Sequence, residues 1–221
     1  MHRSTADTLA FFAAGLVHQF GNLLLTIQGH ALNLAPAADS ASRSREAILG
    51  ASERGAATLR FLRQLLGEPA AVPEDAFALA EHLVELARVP VREARQLLEW
   101  HPRDGAKRCL VEVSDFVPIV ALTLRTLVEA IPHGVQGSID LRVVPTARTA
   151  QVRLQFLPAP GSLPFPIGLD ELAARIDGIA RSQGWRGRCG QAERALELTL
   201  PRTATAVEPS DGLHGSFSLP T

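Results

Sequence analysis

Two long apolar stripes near the N-terminus constrain the fold of this chain more than any other feature. The first stripe recurs at steps of three and four residues from Leu9 to Leu34, and the second does so from Ile48 to Leu66. This spacing places the apolar side chains on one face of an α-helix. Pro36 and small polar residues between the stripes are typical of a helix end and a short loop. The pattern predicts an antiparallel helical hairpin.

A single hairpin leaves part of its apolar surface without a partner. Besides the stripe, the first helix carries Phe11, Phe12, Leu24 and Leu25. Two hairpins that pack together bury these side chains in a four-helix bundle, and association of two copies is the simplest way to obtain the second hairpin. The sequence therefore predicts a homodimer.

After about Asp75 the pattern changes to a mixture of helical and strand segments. Helices are predicted over residues 76–89, 115–131 and 169–183, with Ser114 as the cap of the second, and strands over residues 95–100, 107–113, 137–145, 149–158 and 194–201. The glycine-rich stretch 184–190 is interpreted as a turn. This order is typical of an α/β sandwich with a mixed sheet and helices on one side. The predicted fold class is α+β, with the hairpin followed by the sandwich.

Three regions follow from these patterns. Residues 1–68 are predicted to form the dimerisation hairpin and residues 74–201 the α/β domain. Residues 202–221 are rich in Ser, Thr, Pro and Gly, which predicts a disordered tail.

Charge and cysteine content argue against several function classes. The 22 basic and 23 acidic residues give no general attraction to nucleic acid or to an anionic membrane surface. Cys109 and Cys189 lie far apart and have no metal-ligand spacing, so neither a disulfide framework nor a metal site is predicted, and a reducing cytoplasm is the expected location. The apolar segment Leu9–Val17 resembles a signal-peptide core, but helical spacing continues beyond it, and polar residues from His18 onward interrupt it too early for a membrane span.

His18 is the candidate functional residue of the first helix. It lies about 180° around the helix from Leu9, so it is predicted to point away from the hairpin core. A helical histidine taken alone is more often a surface or core residue, but here Asn22 stands one turn further on. Gly15 and Gly21 flank the pair, and each costs about 1 kcal/mol relative to alanine inside a helix, which favours close approach of a partner. An exposed imidazole offers a nucleophilic nitrogen lone pair near pH 7.

Residues 13–34, AAGLVHQFGNLLLTIQGHALNL, resemble the phosphoacceptor helix of sensor histidine kinases. The typical pattern of that helix is A-G-x-x-H-[DE]-x-x-N-x-L-x-x-I-x-G, and the matching positions here are His18, Asn22, Leu24, Ile27 and Gly29. The resemblance extends over residues 9–201, because a hairpin followed by an α/β sandwich is the order of the kinase dimerisation and ATP-binding domains.

The departures from the kinase pattern concern ATP chemistry. Gln19 stands where kinases carry an acidic residue, and a neutral amide cannot act as a base. Thr126 occupies the position of the magnesium-binding asparagine, and residues 156–161, FLPAPG, contain no aspartate where kinases have one. The segment between the strand and the helix that follow is also too short for an ATP lid. The resemblance therefore implies a phosphoacceptor helix joined to a domain without ATP, cofactor or metal of its own.

These features together resemble the ChpT-like histidine phosphotransferases, which are built from a remodelled kinase. The resemblance implies that His18 takes a phosphoryl group from the aspartyl phosphate of one receiver domain and passes it to another, with Mg²⁺ supplied by the receiver. Asn22 is predicted to orient the phosphoryl group or a water, and Gly15, Gly21 and Leu25 to contact the receiver. The implied partners are response-regulator receiver domains and a hybrid histidine kinase.

Two alternatives remain open from the sequence. A non-catalytic dimeric adaptor that inhibits a kinase or sequesters a receiver predicts that binding is independent of His18. A response-regulator phosphatase, in which Asn22 positions water, predicts receiver dephosphorylation without His18.

Overall fold

The computed structural model describes residues 3–32, 38–66, 68, 72–102, 108–160, 168–192 and 195–203. The helices in these ranges are α1 Arg3–Leu32, α2 Ala38–Leu65, α3 Ala76–Glu93, α4 Val113–Ala130 and α5 Leu169–Ser182. The strands are β1 Glu74–Asp75, β2 Gln96–Trp100, β3 Leu110–Val111, β4 Gly137–Pro145, β5 Thr149–Pro158, β6 Arg188–Ala192 and β7 Ala195–Pro201. The predicted α+β class is confirmed.

The two N-terminal helices pack against each other along much of their length. Gly55 of α2 faces Leu23 of α1 closely enough that a Cβ atom at Gly55 would lie 3.6 Å from the leucine Cδ1. Only residues 33–37 separate the helices in sequence, so they run antiparallel. The predicted hairpin is confirmed, whereas the predicted helix end at Leu34 lies outside the described residues.

The sheet has five strands in the order β2-β4-β5-β7-β6, and β2 and β4 are its parallel pair. The remaining neighbours pair antiparallel, so the sheet is mixed as predicted. Along β5 the side chains alternate between half-buried and buried positions, with Ala150, Val152, Leu154 and Phe156 buried. This alternation places one face of the sheet on the helices.

The hairpin docks on the α/β unit and shares its core. Phe12 and Leu16 of α1 and Phe61 and Leu65 of α2 belong to the same buried cluster as α3, α4 and the sheet. Burial of a side chain of this size contributes about 1.5–3 kcal/mol. Part of the apolar surface that the sequence assigned to dimerisation is therefore covered within the chain.

A buried arginine joins the hairpin to α4. Arg125 is 4% exposed, and its guanidinium Nη1 donates a hydrogen bond of 3.0 Å to the hydroxyl of Thr8 on α1. Its Nε lies 3.2 Å from a carboxylate oxygen of Glu129 one turn along α4. The hydrogen bond to Thr8 links α1 to α4, and the ion pair with Glu129 on the same helix helps to orient the guanidinium.

Several local predictions need correction. Helix α4 begins at Val113 with Glu112 as its N-cap, and no side chain caps it, so Ser114 is already inside the helix. The predicted strand 107–113 is reduced to β3, because α4 starts where that strand was expected to continue. β3 pairs with β1, which directly precedes α3, and Val111 of β3 also forms an isolated antiparallel bridge with Arg202. Asp75 of β1 caps α3 by accepting from the amide of Phe77.

The glycine-rich stretch after α5 and the predicted tail also differ from expectation. Gly184 follows α5 with a positive φ of 73°, as a helix-ending glycine does, but β6 begins four residues later and pairs with β7. The backbone amides of Arg202 and Thr203, at the start of the predicted tail, donate hydrogen bonds of 2.9 Å to Arg148 and Leu110. Residues 204–221 lie outside the described part of the chain.

Candidate functional site

His18 and Asn22 form a hydrogen-bonded pair on the exposed face of α1. The Asn22 Nδ2 lies 3.2 Å from the Nε2 of His18, and both residues are exposed. Because an amide NH₂ only donates, Nε2 accepts, and the neutral ring carries its proton on Nδ1. The hydroxyl of Thr26 donates to the backbone oxygen of Asn22 at 2.8 Å. The Nε2 lone pair of His18 therefore points at the Asn22 amide. This hydrogen bond must break before Nε2 can act as a nucleophile.

An open cavity of about 450 Å³ lies beside this pair, between α1, α3 and β2. Its wall includes His18, Gln19 and Asn22 of α1, Glu85, Arg88 and Arg92 of α3, and Leu97 and Leu98 of β2. The predicted orientation of His18, away from the hairpin core, is confirmed. The imidazole is nevertheless not on an isolated helix surface, because α3 forms the opposite wall.

Gln19 lies on the same wall, directly after His18. The residue is half-buried, and its Oε1 is buried without a hydrogen-bond donor among the described residues. With an amide at position 19, the residue after His18 offers no carboxylate to accept a proton. The carboxylate in the wall of the same cavity is that of Glu85 on α3. Gln19 therefore suits a histidine that attacks in its neutral form and does not need a base.

Of the three residues predicted to contact a partner, Gly15 has a different role. It is buried, and a Cβ atom there would lie 1.8 Å from the backbone oxygen of Leu86 on α3. Gly15 thus permits the close approach of α3 of the same chain, and not of a partner protein. Gly21, by contrast, has no atom within 4 Å of the place of a Cβ, and Leu25 is 68% exposed. These two positions remain predicted contacts of a partner.

Sequence reasoning missed the residues of α3 in this cavity. Arg88 and Arg92 are exposed, lie four residues apart and make no ion pair with any other described residue. The signal in the sequence was two arginines at the spacing that places them on one helix face. Their position beside His18 depends on how α3 crosses α1, which no local pattern reveals.

At the positions that the sequence resemblance assigns to magnesium and ATP binding, the described residues do not include the usual ligands. Thr126 is 4% exposed and lies inside the core face of α4. Leu157 and Pro158 at the end of β5, and Ala159 directly after it, include no carboxylate. Among the described residues there is also no group of three or more His, Cys, Asp or Glu side chains suited to a metal ion. The side chains present lack the hard oxygen ligands that Mg²⁺ prefers.

Two free cysteines are further groups with nucleophilic chemistry; Cys109 is buried, and Cys189 is half-buried. Burial raises the pKa of the Cys189 thiol to about 12, and the nearby carboxylate of Asp177 adds to the rise. A thiol with such a pKa is protonated at neutral pH and is a poor nucleophile. His18 is therefore the better nucleophile.

Helix α1 also contains a segment, Ala6–Ala31, that is long and apolar enough to cross a membrane. Core helices of soluble proteins and signal sequences have the same property. Phe12, Leu16 and Leu23 of this segment are buried within the protein.

No protein-family model matches this sequence, and neither does any curated protein sequence. Among solved structures, the chain is similar to one described as a bacterial phosphotransferase, with 17% identity over 90% of this chain and 98% of that chain and a TM-score of 0.35. It is similar to the Acinetobacter baumannii histidine kinase AdeS, with 10% identity over 85% and 98% of the two chains and a TM-score of 0.42. It is also similar to the catalytic domain of the histidine kinase ThkA, with 14% identity over 60% and 97% and a TM-score of 0.43. These neighbours are histidine-kinase-type proteins.

Proposed function

We propose that this protein is a histidine phosphotransferase that passes a phosphoryl group between receiver-domain aspartates through His18. The observation that carries the proposal is the exposed imidazole of His18, with its Nε2 bonded to Asn22, at the wall of an open cavity. The resemblance of residues 13–34 to a phosphoacceptor helix supports the same assignment. An exposed nucleophile suits this reaction, because the phosphoryl donor is the surface of another protein.

In the first transfer the Nε2 lone pair attacks phosphorus in line with its bond to the donor aspartate. The P–N bond forms as the P–O bond breaks, and the carboxylate leaves with the bonding electrons. The ring keeps its Nδ1 proton and becomes a phosphoimidazolium. In the second transfer the acceptor's carboxylate attacks phosphorus and the neutral imidazole leaves, so no base is needed at position 19.

We propose that the protein needs no ATP or metal of its own, since Thr126 and the described residues 157–160 offer no ligand set for them. The receiver domain supplies Mg²⁺ together with the aspartate. A hybrid histidine kinase is the proposed source of the phosphoryl group, a response regulator its destination, and the cytoplasm the place of transfer.

We propose a homodimer formed through the hairpin. Val17 and Leu24 of α1 are 74% and 65% exposed, and Leu49 and Leu59 of α2 are 57% and 52% exposed. Residues seven positions apart share a helix face, so Val17 and Leu24 form one apolar strip next to the face of His18. Apolar side chains exposed to this degree on one element mark an association surface.

The dimer predicts a change of mass in a charged variant. The double substitution Val17→Glu and Leu24→Glu is expected to halve the molar mass measured by light scattering, because two carboxylates per helix oppose burial of the strip. Val144→Glu, which alters an exposed apolar side chain on the sheet, is the matched control and leaves the mass unchanged. A wild-type protein with the mass of one chain contradicts the dimer.

The function is tested by transfer of a radiolabelled phosphoryl group. The protein is mixed with phosphorylated receiver domains, and in parallel with labelled ATP alone. Label on the protein from a receiver and not from ATP is the expected result. Label from ATP contradicts the proposed absence of kinase activity. Tight binding of a receiver without label favours the adaptor, and loss of label from the receiver as free phosphate favours the phosphatase.

A further inference from the structure

The crossing of α1 and α3 brings two arginines next to the turn of α1 that carries His18. At the crossing, Gly15 lets the backbone of α1 lie against the backbone of α3 at Leu86. Within the next two turns of each helix, His18 and Asn22 on one side and Arg88 and Arg92 on the other line the same cavity of about 450 Å³. The arginines thus come from an element that is distant in sequence.

The positive charges of Arg88 and Arg92 are not neutralised by an ion pair within the described chain. Neither guanidinium makes an ion pair there, although Glu85 also lines the cavity. Like charges four residues apart on a helix repel each other, which costs a few tenths of a kcal/mol. Arg92 stands in the last turn of α3, where a cation interacts favourably with the helix dipole, but this does not neutralise either guanidinium. Both can therefore bind an anion.

A phosphoryl group is the anion that fits. It carries its negative charge on three equatorial oxygens during transfer, and a guanidinium presents paired N–H donors that match two such oxygens. Hydrogen-bond donors that are already in place next to the reacting centre stabilise the charge of the transition state without having to reorganise during the reaction. Because the arginines do not touch the Nε2 lone pair, they leave the attacking nitrogen open.

We propose that Arg88 and Arg92 bind the phosphoryl group on its way to and from His18, while Asn22 turns from Nε2 to a phosphoryl oxygen. This assignment rests on the proposed function of His18. It makes the site a joint product of the hairpin and the α/β unit, so the remodelled ATP-binding domain supplies electrostatic groups to a reaction that uses no ATP.

The test uses phosphoramidate, a small phosphoryl donor that needs no protein surface. Its P–N bond breaks, ammonia leaves, and a P–N bond to His18 forms. The rate of phosphorylation is measured from the intact mass of the full-length protein for the wild type, Arg88→Ala, Arg92→Ala, the double variant and Arg88→Lys. Arg175→Ala is the control, since Arg175 is an exposed arginine on α5 and the change in net charge is the same.

Each single alanine variant is expected to slow phosphorylation about tenfold, the value of one charge-assisted hydrogen bond, and the double variant more. Arg88→Lys recovers part of the rate, and Arg175→Ala reacts like the wild type. Circular dichroism and the thermal midpoint of each variant show that it is folded.

The inference is overturned, while the proposed function stands, if the wild type and the double variant react equally with phosphoramidate. If the double variant is then slow with a phosphorylated receiver, the arginines serve protein docking instead. A wild-type protein that gains no phosphoryl group on His18 from phosphoramidate or a receiver is a failure of the proposed function itself.

Discussion

His18→Ala is expected to abolish acceptance of a phosphoryl group from every phosphorylated receiver, so that no label is detected on the variant. Alanine offers no lone pair, Cys109 is buried, and burial raises the pKa of the Cys189 thiol to about 12. Asn22→Ala is expected to retain the reaction at a rate about tenfold lower, since it removes one hydrogen bond to the phosphoryl oxygens. The measurement is a time course of label transfer from receiver to protein.

His30→Ala provides the matched control, because His30 is a half-buried histidine on the same helix and does not line the cavity. It is expected to transfer label at the wild-type rate. Label on His18→Ala equal to that on the wild type contradicts the assignment of the phosphoacceptor. An Asn22→Ala variant faster than the wild type shows that the hydrogen bond to Nε2 mainly blocks attack.

Gly15→Ala is expected to destabilise the protein by about 1–3 kcal/mol, the usual cost of overpacking a tight interior contact, or to displace α1 from α3. The new Cβ atom would lie 1.8 Å from the backbone oxygen of Leu86 and 2.8 Å from its carbonyl carbon. Both atoms belong to a helix backbone, so no side-chain rotation relieves the clash. Urea unfolding followed by circular dichroism measures the effect.

Gly21→Ala is the control on the same helix, because a Cβ atom there meets nothing within 4 Å. It is expected to increase the free energy of unfolding by up to about 1 kcal/mol, the difference in helix propensity between the two residues. If Gly21 contacts the receiver, this stabilised variant also transfers label more slowly. A Gly15→Ala protein as stable as Gly21→Ala shows that α1 does not pack on α3 in this way.

The helices and long strands of this protein were predictable because their patterns are local. β4 and β5 have the predicted bounds, residues 137–145 and 149–158, since each is a long run bounded by turn residues. The short strands β1, β3 and β6 were not predictable, because two to five residues such as RCGQA have no clear alternation. Their conformation depends on pairing with a strand elsewhere in the chain.

At the candidate site, the sequence alone placed His18 and Asn22 one turn apart and identified Gln19 as the departure from the kinase pattern. Helix geometry makes that pairing certain once the helix forms, because residues four apart share a face. Gly15 was correctly singled out as a place of close approach, but helix periodicity contains no information about which element approaches.

By itself, then, the sequence determined the hairpin, the α+β order and the face of α1 that carries the imidazole, all of which follow from spacing along the chain. Only the tertiary structure decided that α3 packs on α1 at Leu86, and with it that Arg88 and Arg92 stand beside His18. The physical reason is that this contact depends on the shape of two distant backbones and on burial of Phe12, Leu16, Phe61 and Leu65 in a common core.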